Sequence, residues 1–265
     1  MSRPIRFLAR FALAGLAATV LWVPLSARAA DAAYVCSDNA HLGRLFAPLA
    51  RMRRLIAAGR PVTIMALGSS STAGAGASTP AATYPARLEV ELRSRFPAVA
   101  LTVVNRGVNG EEAADMLARF DQAAADDKPD VVLWQVGTNS VLRDHPIGPV
   151  DRLIIEGLAR MKALGTDVVL IDPQFAPKIL AKPDAESMVS VIAAASTSRG
   201  VDLFRRFAVM REWHDAAAIP FGAFLSPDLL HMNDWGYACF AKLLAAAMAE
   251  AATRPVVAAG TITPK

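Results

Sequence analysis

Residues 66–78, "ALGSSSTAGAGAS", decide the fold. The stretch begins inside an apolar run, residues 62–67, and continues as a crowd of glycine, serine and alanine. It can be a phosphate cradle, a flexible linker, or a turn that holds one serine up for chemistry. A P-loop needs G-x-x-x-x-G-K-[ST], because a lysine must neutralise phosphate charge. The first lysine of this chain is Lys128. A dinucleotide-binding turn needs G-x-G-x-x-G, and Gly68, Gly74 and Gly76 stand in the wrong order. A linker would not have strong strand and helix patterns close on both sides. What remains is a strand-to-helix turn that presents a serine.

Working outward, short apolar runs alternate with helical periodicity. Residues 41–58 predict an amphipathic helix, with Leu42, Leu45, Phe46, Leu49 and Met52 at spacings of three and four. Gly59 and Pro61 end it. Strands are predicted over 62–67, 101–105, 131–136, 168–171 and, more briefly, 201–204. Helices are predicted over 84–96, 111–125, 150–164, 184–198 and 233–252. Strands apolar on both faces, alternating with helices, imply a parallel sheet covered on both sides, a three-layer α/β/α sandwich. Functional loops of such sheets lie beyond the carboxyl ends of the strands. "GSSST", "NRGVNG" and "GTNS" each follow or overlap a predicted strand end, so all three are expected on one edge.

The termini read differently. Arg3, Arg6 and Arg10 precede an apolar segment over 11–25, and Ala27-Arg28-Ala29 follows with small residues at both ends. This is the layout of a secretory signal peptide over residues 1–29, of the general export type, too short to span a bilayer. It places the mature protein in the periplasm or outside the cell, with no stable membrane span. Residues 30–60 form an N-terminal arm and helix, 61–252 the main domain, and 253–265 a mobile tail. Of the 28 basic residues, four arginines fall within 1–29, where there is no acid; against 24 acidic residues the remainder balances. The basic surplus therefore belongs to the leader and gives no support to nucleic-acid binding. In an oxidising compartment Cys36 and Cys239 read as one disulfide tying the arm to a late helix, with two buried thiols as the alternative.

A serine hydroxyl is a weak nucleophile until a base takes its proton. His41 begins a helix, His145 lies in a loop after the third strand, and His214 adjoins Asp215, an unfavourable geometry for mutual contact. His231, in "SPDLLHMNDWGY", has Asp228 three residues before it, so one tight turn can set the carboxylate against the imidazole. Alone, D-x-x-H is also the pattern of an ordinary loop ion pair.

Four features occur in order: Gly-x-Ser after the first strand, a glycine turn after the second, Gly-x-Asn after the third, and Asp-x-x-His before the last helix. In this the chain resembles the SGNH/GDSL hydrolases over residues 62–250. The G-x-S-x-G of α/β-hydrolases is absent. The resemblance implies a flavodoxin-like α/β/α fold, and it implies roles. Within Ser69-Ser70-Ser71, where the residues alone leave the position open by one, it selects Ser70 as nucleophile. Asp228 and His231 become acid and base. The Ser70 N–H, the Gly110 N–H and the Asn139 amide become the oxyanion hole. No cofactor or metal is expected. The expected partner is an ester substrate, such as a polysaccharide carrying short acyl groups; a lipid or aryl ester, acyl transfer to a sugar, or a non-catalytic glycan-binding module are the alternatives. Ser69 and Ser140 stand where the family usually carries acids, and both changes are expected to remove negative charge near the site.

Overall fold

The computed structural model describes residues 34–36 and 40–254, so the signal-peptide reading and most of the tail lie outside the described residues. In chain order the elements are α1 (Ala40–Gly43), α2 (Ala50–Ala57), β1 (Val62–Gly68), α3 (Ser70–Ala73), a 3-10 turn (Pro80–Ala82), α4 (Tyr84–Arg95), β2 (Leu101–Gly107), α5 (Ala113–Asp127) and β3 (Val131–Gln135). Then come α6 (Thr138–Leu142), α7 (Ile147–Ala163), β4 (Asp167–Ile171), α8 (Pro177–Leu180), α9 (Ala185–Arg199), β5 (Asp202–Phe204), α10 (Arg206–Asp215), α11 (Phe221–Phe224) and α12 (Asp234–Thr253).

The five strands of the described residues are all parallel, in the order β2-β1-β3-β4-β5. The central strands β1 and β3 are buried almost throughout, which explains why their sequences lack alternation. The chain steps outward from β1 to β2 and returns past β1 to β3. Because crossovers between parallel strands are right-handed as a rule, this order assigns α4 to one face and α5, α7 and α9 to the other. Helix α12 packs on α4 and α2, while α7 packs on α5 and α9. The reversal of strand order lies between β1 and β3, where parallel sheets open a crevice at their carboxyl edge. Trp134, Phe120, Tyr84, Phe240 and Phe204 fill the layers without solvent exposure above 1%. No helix of the described residues is long and apolar enough to cross a membrane.

The single helix expected over 41–58 is two. Pro48 cannot donate to a helical ladder, and the chain between α1 and α2 donates its Phe46 and Ala47 N–H groups to the Asp202 carboxylate instead, at 2.7 and 2.9 Å. Helix α10 was not anticipated from periodicity. Cys36 and Cys239 are joined in a disulfide, fastening the arm to α12 across 203 residues of sequence.

Candidate active site

β1 ends at Gly68, and the next residues turn directly into α3. Ser70 is the first residue of that short helix, so its N–H has no intrahelical acceptor. The glycines of the opening stretch make this turn possible. A Cβ on Gly68 would lie 2.1 Å from Thr72 Oγ1, and one on Gly76 would lie 2.4 Å from the Met232 carbonyl oxygen. The serine turn and the His231 loop are thus in contact through bare backbone.

On the opposite side of Ser70, the segment between α11 and α12 bends back on itself. Leu225 and Met232 form an antiparallel bridge, and Ser226 N donates to the His231 carbonyl at 2.8 Å. Asp228 Oδ1 accepts from Ser226 Oγ at 2.7 Å and from the Leu230 and His231 N–H groups at 3.0 Å each. Leu229 takes a left-handed conformation, φ 56°, which lets residues 228 and 231 face one another. Asp228 Oδ2 lies 2.5 Å from His231 Nδ1, and His231 Nε2 lies 2.7 Å from Ser70 Oγ. Burial alone would raise the Asp228 carboxyl, but the bonds from His231, Ser226 and two backbone amides outweigh it and hold it far below the usual carboxylate range. An ionised Asp228 fixes the Nδ1–H tautomer and leaves Nε2 as an acceptor for the serine proton.

The two other loops reach the same edge. Val108 N donates to the Gly68 carbonyl at 3.0 Å, tying the end of β2 to the serine turn. Gly110 has φ +80°. The Asn139 amide donates to the Glu111 carbonyl at 2.8 Å, which leaves its second N–H free to donate elsewhere. Arg143 Nη2 donates to the Gly110 carbonyl at 2.9 Å. The 109–112 loop is therefore gripped by residues of α6 and the turn after it.

Ser140 does not leave the site without acid. Its hydroxyl donates to Glu112 Oε2 at 2.7 Å, and the same carboxylate meets Arg143 Nη1 at 2.5 Å and His145 Nδ1 at 2.8 Å. Burial pushes Glu112 up, but these three partners more than offset it, so the carboxyl lies below its ordinary range. A carboxylate therefore lies against Ser140, and it is paired with the Arg143 guanidinium. Ser69 is 1% exposed and faces Gln135 rather than solvent. Of the other histidines, His145 joins the Glu112 cluster and His214 packs elsewhere. His214 Nδ1 lies 3.1 Å from the Ile219 carbonyl and its ring stacks on Phe221. Among the described residues no group of three or more His, Cys, Asp or Glu is arranged to hold a metal ion.

Sequence reasoning passed over Glu112, Arg143, Gln135, Gln174 and Arg206. A polar residue closing an otherwise apolar strand, as Gln135 does in "VVLWQ", was the one available signal.

Residues 35–254 match the non-GDSL lipase-like family. No curated protein matches the chain in sequence. Among solved structures, the chain is similar to a two-domain esterase, CEX, active on acetylated mannans, with a TM-score of 0.71 and 18% identity. That likeness covers 83% of this chain but only 58% of the esterase. It is also similar to a variant of Axe2, an acetyl xylan esterase from Geobacillus stearothermophilus, with a TM-score of 0.61 and 18% identity over 72% of this chain and 96% of the other. A third similar structure is TesA, with a TM-score of 0.57 and 21% identity over 69% of this chain and 93% of that one.

Proposed function

The chain belongs to the non-GDSL lipase-like family, and from that premise we propose that it is an exported serine esterase that removes short acyl groups, acetyl above all, from a saccharide. The observation that carries the reading is the 2.7 Å contact between Ser70 Oγ and His231 Nε2, with Asp228 on the other ring nitrogen. His231 Nε2 takes the Ser70 proton as Oγ bonds to the ester carbonyl carbon. The carbonyl electron pair moves onto oxygen, which the N–H groups of Ser70 and Gly110 and the Asn139 amide stabilise. The imidazolium passes its proton to the leaving alcohol as the C–O bond breaks, giving an acyl-serine. Water, deprotonated by His231, then attacks that ester and releases the acid and free Ser70.

The saccharide substrate is supported by the acetylated mannan and xylan named for two of the similar structures. Export is supported by the leader-like residues 1–29 and by the Cys36–Cys239 bond, which suits an oxidising compartment.

The test is a fluorophosphonate probe with a p-nitrophenyl ester series from acetate to palmitate. Wild type is expected to label and to prefer short chains, and Ser70→Ala to take no label and lose activity by on the order of 10⁶-fold. Equal labelling of both proteins would sink the nucleophile assignment, and rates rising with chain length would sink the short-acyl reading.

A further inference from the structure

Beneath the proposed nucleophile and base runs a line of buried polar side chains that the mechanism above does not use. Gln135 is 1% exposed, Thr138 2%, Gln174 1% and Arg206 0%. We propose that Gln135, Thr138 and Gln174 form a buried relay that sets the separation of the Ser70 hydroxyl and the His231 ring, making all three positioning residues of the esterase site proposed above.

The argument follows from donor and acceptor identity. At one end, the Ser69 backbone N–H can only donate, and it meets Gln135 Oε1 at 3.0 Å. The same oxygen accepts from Ser69 Oγ at 3.1 Å and Thr72 Oγ1 at 3.2 Å. The Gln135 amide is thereby oriented with its NH₂ toward Thr138 Oγ1, at 3.4 Å. The far end is polarised in the same way. The Arg206 guanidinium can only donate, and Nη2 meets Gln174 Oε1 at 2.9 Å. Thr138 Oγ1 therefore spends its hydrogen on that oxygen, at 3.0 Å, and its lone pair on Gln135. Gln174 Nε2 is left to donate to the Leu230 carbonyl, at 3.3 Å. Every amide in the line has one orientation that satisfies all its neighbours.

The two ends of this line are residues 69 and 230, each the immediate chain neighbour of Ser70 or His231. Between them lies the end of β3, the start of α6 and the loop after β4. Arg206 braces the assembly, since its Nε also donates to the Asp172 carbonyl at 2.9 Å. Hydroxyl and imidazole are thus held in register by the relay before any ester arrives. Arg206 Nη1 has no partner among the described residues, but the amides and hydroxyl of the line are all paired, and because an unpaired buried polar group is costly, breaking one link loosens the whole line. A displacement near 1 Å of reacting groups can cost about 10²-fold in rate.

The weakest link is at Thr138, and it offers a clean test. Thr138→Val keeps the volume and removes the hydroxyl, while Thr138→Ser keeps the hydroxyl and removes a methyl. The relay predicts that Thr138→Val slows both fluorophosphonate labelling and kcat by about tenfold or more with KM unchanged, and that Thr138→Ser stays near wild type. A packing role predicts the reverse order, and that order would overturn the relay, as would a Thr138→Val protein that labels at the wild-type rate. Should Thr138→Val fail to fold, Gln174→Met, which cuts the tie to Leu230, is expected to slow labelling equally; wild-type labelling by that variant overturns the proposal. A wild-type protein that takes no label refutes the esterase reading itself, which is a separate result from a labelled wild type matched by its variants.

Discussion

At the scale of single residues, the site rests on hydrogen-bonding groups that have one role left to play. Asn139 has spent one amide hydrogen on the Glu111 carbonyl, which fixes the plane of the amide and aims the other. In the proposed mechanism Asn139→Ala is expected to lower kcat by about 10²–10³-fold while KM stays near wild type, because the lost donor acts on charge that develops only in the transition state. Steady-state kinetics on the preferred p-nitrophenyl ester check this, and a fall in KM-limited binding alone would contradict it. The facing of Asp228 and His231 is legible in the sequence because they lie three residues apart on one turn, whereas the residues alone leave the serine open within Ser69–Ser71, and it is the structure that sets Ser70 Oγ 2.7 Å from His231 Nε2. Glu112 was not legible as the acid beside Ser140, since 28 residues separate them and only the packing of two loops joins them. The left-handed Leu229 was equally hidden; it costs on the order of 1 kcal/mol, which the hydrogen bonds to Asp228 offset.

Elements were legible where periodicity runs long and illegible where a tertiary partner intervenes. The five strands and the long helices α4, α5, α7, α9 and α12 follow from apolar spacing. The break between α1 and α2 does not, because it depends on Pro48 together with a carboxylate, Asp202, supplied from β5. The same lesson applies to the serine turn. Its glycines suggest flexibility by composition, yet Gly76 (φ +89°) is there because the Met232 backbone and the His231 side chain crowd the place of a Cβ. Gly76→Ala is therefore expected to push the turn off the His231 loop. It should destabilise the protein by about 1–3 kcal/mol and slow the ester reaction by about 10²-fold. Urea denaturation and kinetics on the same preparation test both parts; an alanine variant with wild-type stability and rate would show that the contact is not rigid.

At the scale of the whole molecule, the sheet edge that carries the site is also where charge is buried most deeply. Burial raises Asp172 to about 7 from an ordinary 3.8, against the Phe207 N–H at 2.9 Å and the positive charges of Arg206 and Arg205, which pull it down. Burial also lowers Arg206, to about 10. An acid raised on folding holds its proton in the native state where the unfolded chain has lost it. Its contribution is intact below about 4 and is lost as pH rises to about 7. The stability of wild type relative to Asp172→Asn, which keeps the acceptor for Phe207 but cannot ionise, is thus expected to fall across that window and flatten above it. Urea unfolding of both proteins across the window measures the difference, and a difference independent of pH would overturn the account. The amino-acid order by itself determined the parallel sheet, the sequence of loops on its carboxyl edge and the four short motifs they carry, since these depend on local spacing and strand burial. Only the tertiary structure decided the acid beside Ser140, the disulfide rather than two thiols, and the line of amides from Ser69 to Leu230. Each of those depends on groups far apart in the chain whose partners exist only once the layers have closed.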